Sequence, residues 1–147
     1  MNSLEKAPLD ARRAAPLALI ARALTVAEGV LFILIARFMV RVLPMRLWRG
    51  QVGCGAHARI RECDRELVRR TVRAVERAAE LVPGTTRCLP LALALRAMLA
   101  RRDLRATLRI GVAGSKHARR FHAWLEADGR PLTAMLDADP YRPFATP

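Results

Sequence analysis

Between residues 64 and 82 the apolar positions Val68, Val72, Val75, Ala79 and Val82 recur every three or four residues, and Arg69, Arg73, Glu76, Arg77 and Glu80 fill the places between them. That period puts the apolar set on one face of a helix and the charges on the other, so it predicts a helix from about Asp64 to Leu81 with one side against a core. Pro83-Gly84-Thr85-Thr86 breaks the pattern. A second helix is predicted to begin at Cys88, with Thr85 or Thr86 as its cap and Pro90 in the first turn, where a missing N–H costs nothing. It ends near Arg101-Arg102-Asp103.

The period then changes to two. From Ala106 to Val112, Leu108, Ile110 and Val112 alternate with Thr107, Arg109 and Gly111, and from Phe121 to Ala127, Phe121, Ala123 and Leu125 alternate with His122, Trp124 and Glu126. Both are half-buried strands. Asp128-Gly129 is a strong two-residue hairpin turn. Ala127 then opposes Arg130, and Glu126 opposes Pro131 in a pair that asks for no N–H from the proline. Carried further, the register sets His122 opposite Met135, with Asp137 diagonally adjacent on the same face. Helices followed by a small antiparallel sheet make the fold class α+β.

The stretch from Ala14 to Val42 is strongly apolar but interrupted by Arg22, Glu28 and Arg37, and its uncharged runs reach only eight residues, as in Gly29 to Ala36. A spanning helix wants about 20 apolar residues. Arg22, Arg37 and Arg41 share one wedge of the helix, yet Glu28 points nearly opposite and Val30 and Ile33 share the basic wedge, so the amphipathic pattern is poor. A helix packed on the domain or on a partner is the favoured reading and membrane association the less favoured one. Pro44 and the glycine-rich stretch after Arg49 end it, which divides the chain into an apolar, basic helical segment at 1–48 and a core at 49–147.

At 147 residues the chain holds one domain with a moderate core. A formal net charge of +13, carried almost wholly by arginine, favours an acidic partner. With aromatic residues at 5% and no nucleic-acid motif, a peptide ranks above nucleic acid. Three cysteines, an odd number, and no short apolar leader ending in small residues suit a reducing cytoplasm rather than a disulfide-built secreted protein.

The chemistry concentrates in two places. Cys88 stands at a predicted helix N-terminus, where about half a positive charge and unpaired N–H groups favour a thiolate and offer an oxyanion site. His122 lies on a strand 34 residues later. Asp137 is placed by the hairpin geometry to orient His122, which completes a nucleophile, base and orienter. Among the other acids, Asp128 belongs to the turn, Glu126 is about 13 Å along the strand, and Asp139 is two positions further away than Asp137.

Arg87-Cys88-Leu89-Pro90-Leu91-Ala92-Leu93-Ala94, Leu108-Arg109-Ile110-Gly111-Val112 and Phe121-His122-Ala123-Trp124-Leu125-Glu126-Ala127-Asp128-Gly129 together resemble the lasso peptide biosynthesis B2 protein family, a group of transglutaminase-like cysteine peptidases. The likeness covers about residues 81 to 139 and extends loosely to the N-terminal helix. It implies a transglutaminase-like, papain-like core whose small sheet carries the histidine and the aspartate. It also implies a leader peptidase that cuts a precursor peptide before a separate cyclase closes the macrolactam, with Cys88 as nucleophile and His122 as base. The family's aspartate falls where this chain has Ala134, so Asp137 rests on hairpin geometry alone. Partners implied are the precursor's leader, a separate leader-recognition protein and the cyclase; no cofactor is implied. Two other functions stay open: an acyl transferase using the same Cys-His pair, and a non-catalytic basic binding module with a structural Cys88.

The remaining features read plainly. Cys54, His57 and Cys63 lack a fourth ligand for zinc, so no metal site is expected. His117 sits in a polar turn, and Lys116, Arg119 and Arg120 border the site as a solvated loop. Gln51, the only glutamine, has little claim to an oxyanion role. Trp124 reads equally as core or as a shield for His122.

Overall fold

The charged-and-apolar period after Asp64 does form a helix: α2 (Arg65–Leu81) follows a short 3-10 turn at Glu62–Asp64 and buries Val68, Thr71, Val72, Ala74, Val75 and Ala78. In the computed structural model the described residues are 7–44, 59–84, 88–113, 120–132 and 142–143, with side chains described for 16–44, 59–84, 88–112 and 121–132. The predicted caps Thr85 and Thr86 lie outside them. On α2's solvent side Arg70 donates Nε to Glu66 at 3.0 Å and Arg69 stands at 2.6 Å from the other oxygen. Together, the Arg70 hydrogen bond first, they hold the Glu66 carboxyl below its ordinary range. That small stabilisation is present at neutral pH and is lost as pH falls through the lowered value.

Helix α3 (Cys88–Ala100) starts on the cysteine and buries Pro90, Leu91, Ala92, Ala94, Leu95, Met98 and Leu99. It stops because Asp103 adopts a left-handed conformation at φ 55° while the Leu104 N–H returns to the Leu99 carbonyl at 3.0 Å. This is the glycine-type helix end without a glycine, completed by burial of Leu104 beside Leu99.

Four strands follow in the order β3-β2-β1-β4, all antiparallel: β1 (Thr107–Ala113), β2 (Arg120–Ala127), β3 (Arg130–Pro131) and β4 (Arg142–Pro143). The hairpin register is the expected one, Ala127 with Arg130 and Glu126 with Pro131. Asp128 and Gly129 have φ of 52° and 70°, the two positive values that a turn of this hand requires. The turn's carboxylate also accepts the Ile60 N–H at 3.4 Å. Strand β4 on the far edge of β1 was not anticipated, since two residues carry too little alternation to be read.

Helix α1 (Ala7–Val42) begins earlier than its apolar pattern and tolerates Pro16 within it. Its inner side joins α2 and α3 in one core: Ile33, Val75, Leu95, Met98, Leu99, Leu108 and Leu125 are fully buried, each worth roughly 1.5–3 kcal/mol. The charge that seemed to interrupt it is spent inside the fold. Glu28 is half-buried and takes a two-pronged bond from Arg102, at 2.7 and 3.4 Å, with Arg101 at 3.4 Å. Arg37 reaches the Pro83 carbonyl at 2.8 Å.

Gly29 lets α1 and α2 touch, because a Cβ there would stand 2.9 Å from the Ala78 Cβ. Neither atom can rotate away. Gly29→Ala gains up to about 1 kcal/mol of helix propensity but forces the helices apart, so a net loss of about 1–2 kcal/mol is expected in a urea melt.

Candidate active site

Odd-numbered residues of β2 turn their carbonyls toward β3, as the Leu132 N–H bond to the Leu125 oxygen at 2.9 Å shows. The Phe121 carbonyl, four residues back, points to the same side, beyond the described end of β3. There it meets Cys88, whose Sγ lies 4.0 Å from that oxygen. The thiol at the start of α3 is thereby set against the peptide group that leads into His122. Hydrophobic contact holds the arrangement in place: Leu91, Leu95 and Met98 of α3 share the core with Ala123 and Leu125 of β2 and Leu108 of β1.

Alternation along β2 is as expected, with Ala123 and Leu125 against α3 and His122, Trp124 and Glu126 on the opposite face. His122 is half-buried with Nε2 sealed from solvent, and its ring stacks on Trp124 at 6.1 Å between centroids and 17° between planes. Trp124 is itself buried, only 7% exposed. It therefore both packs and fixes one side of the imidazole. Glu126 is committed elsewhere: Arg109 donates Nε to it at 3.1 Å, and both side chains are 22% exposed. That diagonal pair, on the histidine's own face, was not foreseen from sequence; the alternation that places both residues on this face was the available signal.

At the helix start, Pro90 carries no N–H, so among the described residues Cys88 and Leu89 hold the first-turn donors that the helix does not use. They are the candidates for an oxyanion. Phe121, whose carbonyl meets the thiol, keeps its side chain exposed, unlike Ala123 and Leu125, with which it alternates.

Asp137 and Asp139 lie outside the described residues, as do Gln51, Cys54, His57, Lys116, His117 and Arg119. Among the described residues the fold thus brings Cys88 to the backbone of β2 on the α3 side, while the His122 ring lies on the other face against Trp124. Cys63 is exposed. A groove of about 850 Å³ lined by Ile60, Arg65, Val68, Asp128 and Leu132 sits at the other end of β2, some six residues and roughly 20 Å from His122. It does not open on the thiol.

The profile of the transglutaminase-like superfamily matches residues 30–146, a span that starts within α1 and takes in Cys88 and His122. No curated protein and no solved structure matches the chain.

Proposed function

Since the chain belongs to the transglutaminase-like superfamily, whose activities are of the cysteine-protease or acyl-transfer type, we propose that it is a cysteine peptidase that removes the leader from a lasso precursor peptide before a separate cyclase closes the ring. The observation that carries this reading is the Cys88 thiol, first in α3, lying 4.0 Å from the carbonyl that precedes His122.

In this mechanism the His122 ring, stacked on Trp124 on the face away from α3, turns to the edge of β2 where Cys88 lies and takes its proton, and the thiolate attacks the scissile carbonyl carbon. The Cys88 and Leu89 N–H groups hold the resulting oxyanion. As the C–N bond breaks, the imidazolium gives its proton to the leaving amine. Water, deprotonated by His122, then opens the thioester and frees Cys88. Asp137 is the residue proposed to orient His122 through its second nitrogen. The precursor's leader and a separate recognition protein are the proposed partners, and the cytoplasm, where thiols stay reduced, is the proposed compartment.

Mass spectrometry of the precursor after incubation with the chain and the recognition protein tests the function. Loss of the leader with one water gained is expected; a product carrying an added amine would instead assign acyl transfer. The third residue has its own test. Asp137→Asn is expected to keep the fold and lower cleavage by roughly a thousandfold or more, while Asp139→Asn stays mild. The reverse order of the two would move the orienting role to Asp139.

A further inference from the structure

The outer side of α1 is a continuous apolar stripe. Leu17, Ile20, Leu24, Ala27, Leu31, Leu34 and Phe38 follow one another at intervals of three and four, and all are exposed; Leu17, Leu24 and Phe38 keep about two thirds of their surface (67%, 66% and 66%). They sit directly opposite the packed side, Gly29, Ile33 and Ala36. No charged residue enters the stripe before Arg41. The charges that spoil the pattern on paper point elsewhere, Glu28 to Arg102 and Arg37 to Pro83.

The helix is long and apolar enough to cross a membrane between Pro16 and Val42. Its packing argues against crossing. The inner side of α1 is fastened to α2, whose outer face exposes Arg69, Arg70, Arg73 and Arg77, and a spanning α1 would draw these arginines into hydrocarbon. A second copy of the chain also fits poorly. The positions flanking the stripe, Ala21, Ala23, Val30, Ile35 and Arg37, offer no acid to a partner helix, and Glu28 is already paired. Two copies at a formal +13 each repel. An anionic lipid surface answers both properties at once, because it takes up apolar side chains and attracts the positive charge.

We propose that the outward face of α1 lies flat in the surface of an anionic bilayer and holds the Cys88 site beside it. Exposed Arg41, at the C-terminal edge of the stripe, is free to reach lipid phosphates from that position.

The test is sedimentation of the full chain with vesicles of phosphatidylcholine containing a quarter phosphatidylglycerol, against vesicles of phosphatidylcholine alone. Binding to the anionic vesicles is expected, weakened by high salt and released by an alkaline carbonate wash. Leu31→Glu with Phe38→Glu is expected to weaken it by roughly tenfold or more. Leu17→Glu with Leu24→Glu, in the part of α1 exposed on all sides, should do the same with the thermal melt unchanged, which separates lost contact from lost folding. Equal binding to both vesicle types, none to either, or a pellet that carbonate does not release overturns the proposal. So does a dimer by light scattering that these substitutions dissolve in the absence of any vesicle binding.

Discussion

Cys88→Ala is expected to abolish cleavage of the precursor, a loss on the order of a millionfold, the scale seen when a nucleophile of this type is removed. The expectation follows from position and not from the thiol alone. Cys63 is also a free thiol and more exposed, yet it sits in a 3-10 turn at the foot of α2. Cys88 alone, of the two described, begins a helix and touches the strand that carries a histidine. Cys63→Ser should therefore retain most activity. Because Cys88 is half-buried at a helix start, alanine fits its place, and the melt should move little. Loss of cleavage with the fold intact is the combination that identifies a chemical role.

His122→Ala is expected to be comparably severe, and the double replacement Cys88→Ala with His122→Ala no worse than either one. Groups that act as a unit lose their joint contribution when the first is removed, so their effects do not add. A structural histidine would behave otherwise. Its loss would lower activity by way of stability, and its effect would add to that of Cys88→Ala. Since the imidazole is stacked on Trp124 and its Nε2 is buried, some destabilisation of His122→Ala is expected as well. His122→Gln, which fills more of the space, serves as the control: it should recover the melt without recovering cleavage.

Much of this site could be read from sequence because its parts obey short-range rules. A helix start at Cys88 follows from the break at Pro83-Gly84 and the place of Pro90, and the turn at Asp128-Gly129 sets the β2–β3 register to the residue. The face shared by His122 and Trp124 follows from alternation alone. What escaped is set by contacts between distant segments. Glu28 looked like a flaw in an apolar helix because its partners, Arg101 and Arg102, lie more than seventy residues away. Gly29 carries no signal of its own in the sequence, and only the approach of Ala78 explains it. Strand β4 pairs with β1 through two residues, too few for any period to register. The positions of the arginines in the N-terminal segment say little about its surface, which depends on which of its sides α2 and α3 cover.

Competitive alkylation of the folded chain, followed by peptide mapping, tests the central claim without any substrate. If Cys88 is a nucleophile prepared by its helix start and by His122, iodoacetamide modifies it faster than the more exposed Cys63, and His122→Ala slows Cys88 by roughly tenfold or more while leaving Cys63 unchanged. Modification of Cys88 no faster than Cys63, or at a rate indifferent to His122, would contradict the account.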